Sequence, residues 1–192
     1  ATAWFRKSGF KVHDSDAAVH ELYSPGGAAV GPVASAFPEA LSEDGGINRT
    51  ALSQAVIAAG RETSLATLEK IVHPLVAANR AEFVRVQGEA GEWLVVVDVP
   101  LLFETCPDEA SLREQVDQVL VVTASAEIQR QRVMRRPGMT EAKLDAILAR
   151  QVPDAIKRRR ADMLVDTGLS DGFSETRAQL AGCVERLISS YP

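Results

Sequence analysis

Residues 94–104, LVVVDVPLLFE, limit what this chain can fold into more than any other stretch. Four apolar residues run unbroken into Asp98, and Pro100, two leucines, Phe103 and Glu104 follow. A short apolar run without polar alternation predicts a strand buried on both faces, as in a parallel sheet. Pro100 has no N–H for the ladder, so the strand stops before it. In an open α/β sheet, ligands bind beyond the carboxyl ends of the strands, and Asp98 stands at that end. An acid there can hold a hydrated metal ion or a substrate hydroxyl. A lone strand-end Asp is more often a solvated or capping residue, so its neighbours must decide.

The rest of the chain alternates around this strand. A helix at residues 2–8 ends at Gly9 and gives way to a short strand at 10–13. His13-Asp14-Ser15-Asp16 then sets two acids at i, i+2 just beyond a strand, and Asp16 can also cap a helix over 17–23. Ser24-Pro25-Gly26-Gly27 reads as a turn. Residues 28–37 predict a weak helix, and Asn48 or Thr50 opens another through Val56. Leu65, Leu68, Ile71, Val72, Leu75 and Val76 keep helical spacing, so 63–87 predict one long helix, kinked at Pro74. Residues 24–90 thus read as an all-helical insert between two strands. A loop is expected at 106–113, a second buried strand at 116–123, and helices at 126–136, 141–151 and 153–161. A short strand at 163–166 and an amphipathic helix at 174–189 close the chain. Alternation of this kind implies a parallel sheet with right-handed crossovers.

Composition narrows the partners. The 192 residues carry a net charge of −5, which argues against non-specific binding to nucleic acid or an anionic membrane. Residues 129–160 nevertheless hold ten Lys/Arg against three acids. A basic segment in an acidic chain suits a small, highly charged anion better than a long polyanion. With aromatics at only 5%, stacking platforms for single-stranded nucleic acid are not expected. Cys106 and Cys183 are isolated, with no metal-binding spacing, which fits a reducing cytoplasm. No apolar stretch reaches the about 18 residues of a transmembrane helix, and the first residues lack the apolar core of a signal peptide.

Four features combine. Asp14 and Asp16 follow one strand, and Asp98 and Glu104 follow another. Arg132 and Arg136 stand at i, i+4, which puts both guanidiniums on one face of the predicted helix. Lys157 to Arg160 form a second basic cluster before the last strand. Acids for Mg²⁺ and a hydroxyl, with arginines for a polyphosphate, are the parts of a phosphoryl-transfer site, where catalysis is mainly positioning and charge neutralisation.

With these blocks in view, the sequence resembles the dephospho-coenzyme A kinase family. The matching blocks are GFKVHDSDAAVHEL (9–22), NRTAL (48–52), IVHPLV (71–76), VVVDVPLLFET (96–105), QRQRVMRR (129–136), ILARQ (147–151) and KRRRADMLVDTG (157–168). The resemblance implies an α/β fold: a three-layer P-loop NTPase, NMP-kinase-like, with a parallel sheet, a helical substrate-binding insert and a small helical lid. The nucleotide-binding core would be 1–23, 91–127 and 161–192, the coenzyme-A-binding insert 24–90 and the lid 128–160. The implied reaction moves the ATP γ-phosphate to the 3′-hydroxyl of dephospho-coenzyme A, with ATP and Mg²⁺. Asp16 matches the general base, and Asp14 a residue organising Mg²⁺ water or substrate, with Asp98 as its companion toward the metal. Arg132 and Arg136 match arginines that cover the phosphates. His73, Pro74, Pro100, Leu101, Leu102 and Glu104 match acceptor-side positions. Thr167 and Gly168 fall at the adenine edge, where the family more often shows Asn.

One departure stands out. The family's ATP site begins with a strand and a G-x-x-x-x-G-K-[ST] loop, and the chain opens beyond both. Gly26 to Gly31 has the glycine spacing, but Pro32 stands where Lys is required. The expectation is that roughly 20 residues carrying this unit precede Ala1. They would supply a strand between 94–98 and 118–123. The competing reading is a degenerate, non-catalytic coenzyme-A-binding relative, and a weaker one is a kinase of the same fold with another substrate.

Overall fold

The computed structural model describes residues 1–168 and 173–191. The chain divides into two compact units, Thr2–Pro100 and Leu101–Pro192, each with its own pair of parallel strands.

In the first unit, α1 (Thr2–Lys7) leads into β1 (Lys11–Asp14) and α2 (Ser15–Tyr23). Gly9 makes the turn between α1 and β1 at φ +92°, a backbone region that L side chains avoid. A cluster of helices follows: α3 (Val30–Ala36), a short 3-10 turn at Pro38–Ala40, α4 (Arg49–Ala58) and the long α5 (Arg61–Glu89). The expected Asn48 does cap α4, accepting from the N–H groups of Thr50 and Ala51. Pro74 lies inside α5, which runs on past it. The cluster has its own core, in which Ala29, Val33 and Ala40 are fully buried among Leu22, Phe37, Leu52 and Val72. Burying a side chain such as Val33 contributes about 1.5–3 kcal/mol. At Gly27 an added Cβ would lie 2.3 Å from the carbonyl oxygen of Leu22, so only glycine lets α3 fold back on α2. The unit closes with β2 (Val95–Asp98), which pairs with β1 in parallel register.

The second unit contains α6 (Leu102–Thr105), α7 (Glu109–Arg113), β3 (Leu120–Thr123), α8 (Ala126–Met134), α9 (Glu141–Leu148), α10 (Asp154–Arg160), β4 (Met163–Asp166) and α11 (Phe173–Ser190). β3 and β4 form the second parallel pair. Phe103, Cys106, Leu112 and Val119 make a small core beneath them.

Several boundaries differ from the sequence reading. Residues 106–113 are not all loop: Asp108 accepts from the N–H of Ser111 and starts α7. The strand expected at 116–123 is only its last four residues, because Arg113 holds the carbonyl of Asp117 at 2.9 Å and keeps that segment turned. α8 stops at Met134, short of Arg136, because the residue before a proline is steered away from helical backbone. The strands make two two-stranded sheets rather than one.

Candidate active site

The acidic residues come together in the first unit. Parallel pairing sets Asp14 of β1 opposite Asp98 of β2, so two carboxylates leave the strands at the same end. Asp14 also caps α2: its Oδ1 accepts from the N–H of Ala17 at 3.1 Å, and its Oδ2 accepts from Arg6 at 3.2 Å. The sequence reading gave the cap to Asp16, and this is corrected. β1 stays extended through Asp14, so the helix begins one residue earlier, at Ser15. Asp16 therefore sits exposed in the first turn, its carboxylate without a hydrogen-bond partner among the described residues.

These placements give the carboxylates different electrostatics. The N–H of Ala17, joined by the Arg6 guanidinium, outweighs the opposing effect of burial and holds Asp14 below the ordinary carboxylate range. Burial, and then the negative charges of Asp14 and Asp16, push Asp98 above it. At Asp98 burial and the neighbouring anions outweigh the positive charges of the N-terminus and Arg6.

The sequence reading missed His13. It is buried on β1, with Nε2 2.9 Å from Oδ1 of Asn79 and its ring 5.5 Å from that of Phe83. These residues, with Arg6, Asp14 and Glu21, line a cavity of about 430 Å³ between α2 and α5. Asn79 and Phe83 stand at i, i+4 on α5, the only hint in the sequence; a histidine beside an aspartate otherwise reads as solvated. Farther along α5, His73 and Pro74 are exposed, while Val72 joins the core of the helical cluster. Pro100, just beyond β2, is exposed.

The second unit holds the expected phosphate-side residues. Leu101 is 47% exposed, Leu102 is half-buried and Phe103 is buried. Arg132 on α8 donates to Oγ1 of Thr167 at 2.9 Å and to its carbonyl at 2.6 Å. Two separately expected positions, one on a helix and one past β4, are thereby joined. Gly168 follows at a tight place: a Cβ would lie 3.0 Å from Cδ1 of Ile128 and 3.1 Å from Oδ1 of Asp166, so these side chains would have to give by a few tenths of an ångström. Arg136 lies beyond the end of α8, exposed and with no side-chain partner among the described residues. The i, i+4 helical face proposed for the two arginines is therefore not formed. Glu104 points inward: Oε1 accepts from Nζ of Lys157 and from the N–H of Val152, both at 2.9 Å. Among the described residues no group of three or more His, Cys, Asp or Glu could by itself hold a metal ion.

A family model for dephospho-CoA kinase matches residues 1–171. The chain belongs to the dephospho-CoA kinase family. It is 49% identical over 183 residues to the dephospho-CoA kinase of Mesorhizobium japonicum, covering 95% of this chain and 87% of that one. It is 48% identical over 187 residues to that of Rhizobium meliloti, with 97% and 90% covered. Its fold matches TT1252 from Thermus thermophilus with a TM-score of 0.71 at 27% identity, covering 99% of this chain and 89% of that one. It also matches the Campylobacter jejuni dephospho-CoA kinase with a TM-score of 0.68 at 20% identity, covering 98% and 90%. The protein is accordingly an ATP-dependent kinase with small-molecule substrates. No described helix is long and apolar enough to cross a membrane.

Proposed function

We propose that Asp16 accepts the proton of the dephospho-CoA 3′-hydroxyl as the hydroxyl oxygen bonds to the γ-phosphorus of ATP and the bond from that phosphorus to the β,γ-bridging oxygen breaks, releasing ADP. The observation that carries this is the division of labour between two neighbouring aspartates. Asp14 is spent on the α2 cap and Arg6, which leaves Asp16 with an uncommitted carboxylate beyond the carboxyl end of β1. A base must be able to reach the proton it takes, and an unpaired exposed carboxylate can do so.

Asp98 is the stronger candidate for a hydrated Mg²⁺ ion. Its raised carboxyl beside Asp14 and Asp16 marks a place where a dication would relieve unfavourable charge. Mg²⁺ needs only one or two carboxylates, the rest of its shell being water and phosphate oxygens, so the lack of an all-protein cluster is compatible with it. When bound, such an ion neutralises charge on the β- and γ-phosphates. Asp14, with both oxygens engaged, would act through water on that ion. Arg132, held by Thr167, and Arg136, uncommitted, would bind phosphate oxygens, a task that suits the guanidinium fork. Thr167 and Gly168 would border the adenine, while His73, Pro74, Pro100, Leu101 and Leu102 would face the acceptor. This reading keeps the division into core (1–23, 91–127, 161–192), insert (24–90) and lid (128–160), in a cytoplasmic enzyme.

The deciding experiment is steady-state kinetics of Asp16→Asn in the full-length protein. The expected result is a kcat about a hundredfold or more below wild type, with KM for ATP within about twofold. A near-normal kcat would remove Asp16 as the base.

A further inference from the structure

Glu104 lies one turn beyond the exposed Leu101, and its carboxylate is turned away from solvent. Its side chain is 16% exposed and that of Lys157 19%. Oε1 takes both donors, Nζ of Lys157 and the N–H of Val152, while Oε2 is buried without a partner. Burial alone would raise this carboxyl, but the bonds from Lys157 and Val152 outweigh it and the net shift is downward. Glu104 is therefore held as an anion by the segment 152–157.

The same helix grips the turn a second time. Nη2 of Arg160 donates to the carbonyls of Cys106 at 2.9 Å and Asp108 at 3.0 Å, and its guanidinium carbon lies 4.9 Å from the centre of the Phe103 ring. Arg158 faces elsewhere: it donates to Oγ1 of Thr123, the last residue of β3, and to Asp154. Of the four consecutive cations on α10, only Arg159 is exposed and free of a partner among the described residues. The basic cluster is thus mostly internal wiring between the 101–108 turn, α10 and the end of β3.

We infer that Glu104 and Lys157 form a positioning pair, which fixes the Leu101–Leu102 turn so that it can receive the acceptor, and that Glu104 does not itself bind substrate. The inference rests on the acceptor-side reading of that turn, which begins three residues past the carboxyl end of β2, where α/β sheets receive ligands.

The test is a double-mutant cycle on the full-length enzyme: Glu104→Gln, Lys157→Gln and the double variant, with Lys157→Arg as the conservative replacement. Far-UV circular dichroism and thermal melts establish that each variant is folded. If the two residues act as a unit, each Gln substitution raises KM for dephospho-CoA by about tenfold, and the double variant is no worse than the poorer single one. KM for ATP stays within about twofold, and Lys157→Arg restores the acceptor KM. Calorimetric Kd values for dephospho-CoA give the same comparison without turnover, so a failed assignment of Asp16 leaves this result readable. Effects that multiply in the double variant would overturn the pair. So would an acceptor KM raised by Glu104→Gln but untouched by Lys157→Gln, since that marks direct substrate contact by Glu104.

Discussion

Asp14 and Asp98 face each other across a parallel strand pair, yet their carboxyls are displaced in opposite directions. Donors around Asp14 favour its charged form, while burial and two neighbouring anions disfavour that of Asp98. The native state therefore holds the Asp98 proton more tightly than the unfolded chain does. Stability from this group is present at low pH and declines as pH rises from the unfolded Asp value, about 3.9. Without Mg²⁺, Asp98→Asn should be more stable than wild type at pH 7, with the advantage shrinking toward pH 4. Urea melts at the two pH values measure this, and an advantage that does not change with pH would defeat it.

Asp14 carries the opposite sign. Its folded value is lowered, so its contribution is present at neutral pH and lost as pH falls through that value. Asp14→Ala should cost about 0.5–2 kcal/mol at pH 7 through loss of the α2 cap. Asp14→Asn keeps a capping oxygen and should cost clearly less, the remainder reporting the Arg6 pair. Denaturant unfolding of the two variants separates the effects, and an Ala variant as stable as wild type would show that the cap is dispensable.

Thr167 holds Arg132 through its hydroxyl and its carbonyl, and the hydroxyl also donates to the carbonyl of Thr123, so Thr167→Val removes two hydrogen bonds, one of them to Arg132, and leaves the carbonyl's hold on Arg132. KM for ATP should rise by about three- to tenfold, the span of a hydrogen bond worth about 0.6–1.4 kcal/mol. KM for dephospho-CoA should not change. Arg132→Ala should give a larger loss in the same direction. If ATP kinetics were indifferent to both, Arg132 would be only a brace between α8 and the 167–168 turn.

Arg136 has no side-chain partner to lose among the described residues. If it meets the phosphates mainly in the transition state, Arg136→Ala should lower kcat and kcat/KM together, by about a hundredfold or more, with ATP binding little altered. An equal loss in binding and turnover would make it a plain phosphate ligand.

Much of this was legible along the chain because it depends on short-range rules. The unbroken apolar run before Asp98 marked a strand and Pro100 marked its end, but the expected burial on both faces is not met: β2 is half-buried along its length and, among the described residues, pairs only with β1. Asn48, Gly9 and the apolar spacing of α5 gave helix limits through local capping and periodicity. The family was legible from ordered blocks such as VPLLFE and HPLV. What the tertiary structure decided is which polar atoms remain unspent. Asp14 and Asp16 are both chemically able to cap α2, and only the extended backbone at Asp14 shows that the first is consumed and the second left uncommitted. Glu104 and Lys157 are far apart in sequence, so their ion pair left no periodic trace. Nor could spacing predict that Arg132 meets Thr167 while Arg136 falls off the helix. Local sequence sets which chemistry a side chain can do; hydrogen-bond partners brought from distant segments set which of those capacities is left for the substrate.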